Sequence, residues 1–409
     1  MSLSVRAVTA STPQGLLPAI MVLSIAQAAI GQFVAHGVPL FLRAAGQPTA
    51  IVGLVFLASL PFVLNVLWAP VVDRFRNPNL GHYRAWILFG HIGAFIIILG
   101  LSLADPGDSP LILIGLVLCL STVMATQDVS LSGLMVRGLS PKDRAKGSSY
   151  RTAGAALAGT VIGALVIYLL ADLGWSSVVF GLAAFAVAST LLVFVLGLDR
   201  GWTAPETKPS LISQFNLFKK PAARRLMVVE IFTGLGLAVS FGLKSILLID
   251  AGFSVGDAAL LSLVGGGAVG LLAIMAIRPL IDAFGGFTVL AGIALVSVVF
   301  CLIFAVIFRN GFGHGPTAIF VLLASALTFG AVPASRSILI GVCGKDSAAT
   351  DFSAFNSLER VILMVFAGAG LASVELIGLS GLLIAAAIGA SIGTILAWRL
   401  RHTEEIHIE

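Results

Sequence analysis

The chain has 409 residues, of which 58% are hydrophobic and 11% charged, and its mean hydropathy is +1.06. Soluble domains carry about 25% charged residues, so a water-soluble globule is excluded and an all-α polytopic membrane protein is expected. The net charge of +5 does not point to nucleic acid, because the bases cluster in short loops between apolar spans, where they report inner-leaflet topology.

Apolar runs of about 20 residues, enough for a helix to cross about 30 Å of hydrocarbon, fall near 16–42, 49–72, 84–104, 110–134, 148–171 and 176–198. The first is too long for a cleavable leader and lacks a small-residue cleavage end, so it reads as the first span. A polar stretch, 199–225, follows with Lys208, Lys219, Lys220, Arg224 and Arg225. Six more runs lie near 226–249, 256–280, 286–308, 316–340, 352–375 and 379–400. The expectation is twelve transmembrane helices, divided into an N-terminal bundle (1–198), a cytoplasmic linker (199–225) and a C-terminal bundle (226–409). With both termini cytoplasmic, that side receives Arg6, Arg74, Arg76, Arg84, Arg137, Lys142, Arg144, Lys146 and the linker bases, while the opposite loops keep only Arg43 and Arg309.

The halves repeat one another. Span 2 ends in Asn65-Val66-Leu67-Trp68-Ala69-Pro70-Val71-Val72-Asp73-Arg74-Phe75-Arg76, and span 8 ends in Arg278-Pro279-Leu280-Ile281-Asp282-Ala283-Phe284-Gly285. Pro70/Pro279, Asp73/Asp282 and Phe75/Phe284 keep register. Pro141-Lys142-Asp143 after span 4 likewise resembles Gly344-Lys345-Asp346 after span 10. Two bundles of like orientation, related by an axis along the membrane normal, form a transporter's architecture, with the substrate site near the midplane between them.

Ionisable and polar groups inside the spans are the candidates for function, since each is costly in hydrocarbon unless it faces protein or water. Span 1 offers Gln27, Gln32 and His36. At 100° per residue Gln32 and His36 fall nearly together and Gln27 points away, so Gln32 and His36 are preferred. Asn65 lies on span 2. Gln127 and Asp128 stand near the inner end of span 4, where Asp128 is either the proton-coupling acid or an acid paired with Arg151 or Arg137 in a gate. On span 7, Glu230 reads as structural and Lys244 either attracts an anionic solute or snorkels outward. Phe241 is one of five phenylalanines, with Phe33, Phe62, Phe329 and Phe355, that would line an apolar cavity. Asn356 and Arg360 share a face of span 11, Glu359 and Arg360 read as a neutralised gate pair, and Arg336 lies near the inner end of span 10. No metal-ligand spacing links the three cysteines, and no cofactor motif is present. The absence of G-x-x-x-x-G-K-S/T argues against ATP hydrolysis, and that of H-E-x-x-H and G-x-S-x-G against an intramembrane enzyme.

Two six-helix bundles with Pro-x-x-Asp-Arg ending span 2 resemble the major facilitator superfamily. Val38-Pro39-Leu40-Phe41-Leu42-Arg43-Ala44-Ala45-Gly46, Leu60-Pro61 through Phe75, and Ala125-Thr126-Gln127-Asp128 resemble its AmpG-related branch of muropeptide permeases and RhtX/FptX-type siderophore permeases. The resemblance implies a monomeric inner-membrane importer of a small molecule, embedded in the lipid bilayer, with Asp73, Arg74 and Asp282 in the gates. Muropeptide permeases of the branch tend to carry a charged element early in span 7, where this chain reads Thr233-Gly234-Leu235-Gly236-Leu237. The reading therefore leans to proton-coupled import of a siderophore or its iron complex. A muropeptide permease is the alternative, and a drug/proton exporter is a weaker one.

Overall fold

The computed structural model describes residues 15–74, 80–140, 143–158, 163–196, 219–311, 313–342 and 348–401. Twelve helical spans are found among them. In the first half these are α1 (Leu16–Ala44), α2 (49–74), α3 (His82–Leu101), α4 (Pro110–Gly138), α5 (described over Arg144–Leu157 and Ala164–Leu170) and α6 (Trp175–Leu196). The second half holds α7 (Pro221–Asp250), α8 (Val255–Phe284), α9 (Gly286–Ile307), α10 (His314–Val342), α11 (348–377) and α12 (379–400). The last two run on as one helix except at Gly378, whose φ of 71° turns the chain.

The spans start and stop where the residue chemistry requires it. Gly46, between α1 and α2, and Gly252, between α7 and α8, both take positive φ, a conformation nearly closed to residues with a Cβ. Equivalent turns in the two halves thus use the same device. Proline opens α4 and α7 at positions that need no N–H. Helix α7 begins at Pro221, so Arg224 and Arg225, assigned from the sequence to the linker, lie within its first two turns. Proline also interrupts α2, which is helical over Thr49–Leu57, Pro61–Leu64 and Ala69–Arg74 with a 3-10 turn at Asn65–Leu67. Neither Pro61 nor Pro70 has an N–H to donate to the ladder.

The helix directions define two faces. The linker face carries the start of α1, the end of α6 and the start of α7; the far face carries the α1–α2 and α7–α8 turns. On the far side one continuous apolar core joins both halves, from Ile30, Phe33 and Val52 to Val239, Leu243 and Leu371. Toward the linker face this core divides. Leu16, Ile20, Leu131 and Leu134 form a separate cluster in the first half, and Leu226, Phe287, Leu339 and Phe355 form another in the second. The halves are welded at one end and separate at the other.

Candidate functional site

About two turns in from the far-face ends of α1 and α7 lies a cluster built from five helices. A π-turn over Phe33–Gly37 carries His36 in α1. Its ring stands edge-on to Phe241 of α7, with centroids 5.3 Å apart, and Phe241 also meets Phe56 of α2 at 6.2 Å. One turn further along α7, Lys244 places Nζ 5.0 Å from the Phe241 ring centre. The ammonium donates to Ser325 Oγ of α10 at 2.8 Å. Gly266 of α8 leaves room for that hydroxyl, since a Cβ there would lie 2.6 Å from Ser325 Oγ.

Lys244 is 2% exposed and therefore does not snorkel. No carboxylate pairs with it among the described residues, and a buried ammonium held by one hydroxyl and one ring face retains most of its demand for an anion. His36 and Phe241 bring the two halves together here.

The far end of the interface is closed by charge. Arg43, at the end of α1, meets Asp250, at the end of α7, through Nε to Oδ1 at 2.6 Å and NH2 to Oδ2 at 2.8 Å. Such a two-pronged pair fits the guanidinium fork to the carboxylate. Beside it, Thr49 Oγ1 and the Ala50 amide both approach Glu375 Oε1 of α11 at 3.4 Å. Deeper in, α2 and α11 cross where Gly53 and Gly368 face one another; a Cβ on Gly53 would lie 2.7 Å from the Gly368 carbonyl oxygen. The far-face contacts between the halves were missed in the sequence, where Arg43 and Asp250 counted only as loop charges. The usable signal was their opposite sign at the repeat-equivalent turns before Gly46 and Gly252.

A family model described as the Major Facilitator Superfamily matches residues 21–368. The chain belongs to that superfamily. The anhydromuropeptide permease of Escherichia coli K12 is 24% identical over 336 residues, covering 76% of this chain and 64% of that protein. An uncharacterized protein of Haemophilus influenzae is 27% identical over 172 residues, 40% of each chain. Both matches span less than two thirds of the relative's own length. Among solved structures, a POT family transporter in complex with a thioalcohol-conjugated peptide superposes with a TM-score of 0.75 at 10% identity, covering 95% of this chain and 96% of that one. That likeness establishes the shared fold.

Within the major facilitator frame, the remaining candidates separate. Asp128 is engaged inside its own half: Arg151 of α5 pairs with Oδ1, and Gln27 Nε2 donates to the same oxygen at 3.3 Å and to Met124 O at 3.1 Å. Arg151 also donates to Ser132 Oγ at 2.9 Å. The second half repeats the arrangement with the charges exchanged. Arg336 of α10 pairs with Glu359 of α11, and Ser335 Oγ donates to Glu359 at 3.2 Å. In both halves the partners are 23 residues apart. The expected Glu359–Arg360 pair is corrected here, because consecutive helical residues point about 100° apart and cannot face each other. Arg360 is exposed and lies 5.9 Å from the Phe62 ring centre.

Gln127 is buried against α3, 3.0 Å from His91 Nδ1, over Gly90, whose missing side chain makes room for it. Gln32 is half-buried beside Gly163 of α5, so His36 contacts α7 without it. Asn65 is half-buried in the 3-10 turn of α2. Phe33 and Phe355, expected at a cavity wall, are core: Phe33 stacks on Trp175 at 5.6 Å and Phe355 is fully buried in the second half. Asp282 is exposed at the linker end of α8. The side chains of Asp73, Arg74 and Asn356 lie outside the described residues.

Proposed function

We propose that this chain is a secondary permease that moves an anhydromuropeptide-type solute from the far face to the linker face by alternating access, driven by protons. With both termini cytoplasmic, as the distribution of bases favours, that direction is import across a bacterial inner membrane, and one chain is the working unit. The observation that carries the reading is the anhydromuropeptide permease relative, aligned across 76% of this chain. The cluster around Lys244 supports it. Lys244, buried and without a carboxylate partner among the described residues, offers a cationic contact to the carboxylates of a peptide-bearing sugar. Phe241, Phe56 and His36 supply flat apolar faces for the rest.

A siderophore cargo is the second reading, favoured by one feature: Thr233–Leu237 of α7 lacks the charges that muropeptide permeases tend to carry there. Purified protein in liposomes, loaded with unlabelled anhydromuropeptide and exposed to the radiolabelled compound, tests the first reading by counterflow. Saturable exchange is the expected result. Exchange of a ferric siderophore and not of the muropeptide would transfer the assignment, and exchange of neither would overturn it.

A further inference from the structure

The proton drive just proposed requires a group that can carry a proton while the solute moves, and Asp128 is poorly suited to it, with Arg151 and Gln27 already on its Oδ1. A different carboxylate is less committed, with Ser335 as its one side-chain hydrogen-bond partner among the described residues. Glu230 of α7 is 8% exposed, and its Oε1 has no hydrogen-bond partner among the described residues. It lines a cleft of about 180 Å³ between α7, α10 and α11, on the side where the apolar core has divided. Most of the wall is apolar, with Leu237, Val332 and Ile362 among its residues, and Ser335, Thr328 and Glu359 supply its other polar groups. We propose that Glu230 is the proton-carrying site of the transport cycle; this rests on the reading of the chain as a proton-driven permease.

The charged groups around it fit that role. Arg336 from α10 and Glu359 from α11 both act on Glu230 electrostatically, but each is committed to the other as an ion pair. Glu230 is the third charge in a set that is otherwise neutral. Left ionised in a mostly apolar wall, it lacks a counterion, and a proton bound at Oε1 restores neutrality without rearranging the neighbouring pair. A metal cation is a poorer fit. Hard cations gather about six oxygens or more; the cleft holds two carboxylates, one of them, Glu359, already paired with Arg336, and no group of three His, Cys, Asp or Glu that could hold a metal ion is found among the described residues. A proton needs only the one oxygen that is unpartnered. The chemical step is the reversible protonation of a single carboxylate, Glu–COO⁻ plus H⁺ to Glu–COOH, with no other bond made or broken.

Two measurements test this. In the purified protein, infrared difference spectra recorded across a pH titration are expected to show a protonated-carboxyl carbonyl band that is lost in Glu230→Gln, shifted in Glu230→Asp and retained in Asp128→Asn. This arm needs no cargo. In liposomes, one proton coupled across a gradient of one pH unit sustains about a tenfold accumulation. Glu230→Gln is expected to bring the accumulation ratio of labelled anhydromuropeptide to about one while counterflow exchange continues. Wild-type accumulation in Glu230→Gln, loss of the band in Asp128→Asn instead, or accumulation driven by a sodium gradient would each overturn the assignment. Absence of muropeptide exchange in the wild-type protein would overturn the cargo reading and leave the infrared result to decide the proton site.

Discussion

At the scale of single residues, the geometry separates charges that are satisfied from those that are not. Lys244 is the clearest unsatisfied cation, with one hydroxyl and one ring face around it. A hydrogen bond to a charged group is worth about 1.5–3 kcal/mol, so Lys244→Ala is expected to weaken binding of an anionic solute by about tenfold to a hundredfold. Calorimetric titration of wild type and variant checks this, and an unchanged Kd in a variant of unchanged melting temperature would contradict it. Arg43 and Asp250 are the opposite case, fully matched and only 24% and 19% exposed. Replacing Asp250 with Asn removes a charge-assisted pair that exists only while the far face is closed. A loss of about 1.4 kcal/mol from that state is a tenfold shift in population, readable as faster modification of a cysteine placed at Thr49. Much of this residue list was legible early, since an ionisable group in an apolar span announces itself. Which partner each one takes was not. The sequence marked Asp128, Arg151, Arg336 and Lys244, but helical spacing gives only a direction around an axis, and the neighbour standing in that direction depends on the packing of the whole bundle. Ser325 was passed over for the same reason: a serine in a helix is ordinary until an ammonium is found against it.

At the scale of helices, length and composition placed twelve spans with small errors at their ends, because the hydrocarbon thickness leaves little freedom in an apolar run. The π-turn at Phe33–Gly37 in α1 and another at Leu260–Gly265 in α8 were not legible, since neither has a signature stronger than its glycine. Close helix crossings matter more for motion. Gly53 and Gly368 let α2 and α11 touch backbone to backbone across the divide, and small residues are the usual means of such approach in membranes. A valine at Gly53 would overlap the Gly368 carbonyl. Gly53→Val is therefore expected to hold α2 and α11 apart and favour an open far face, without unfolding either half. Spin-label distances between α2 and α11 check this, and distances equal to those of the wild type would refute it.

At the scale of the molecule, the welded far core and the divided linker-side cores describe one end of a rocking motion. If the far face must open for solute to enter, then fixing it must stop transport. Cysteines replacing Thr49 and Glu375, on a background free of native cysteine and joined by a short bifunctional maleimide, are expected to abolish exchange, with the unlinked double variant remaining active. Persistent exchange in the linked protein would refute a rocking cycle.

The inverted ion pairs, Asp128–Arg151 and Arg336–Glu359, bear on how the opposite end of that motion is sealed. A two-fold axis between the bundles maps α4 on α10 and α5 on α11, so each side chain has a counterpart of opposite sign. A faithful copy of either pair would have set acid against acid and base against base as the bundles swing together, and the last few ångströms would have been uphill. Opposite signs at equivalent positions turn that approach into mutual attraction, which gives the two lips of the inner mouth a reason to meet.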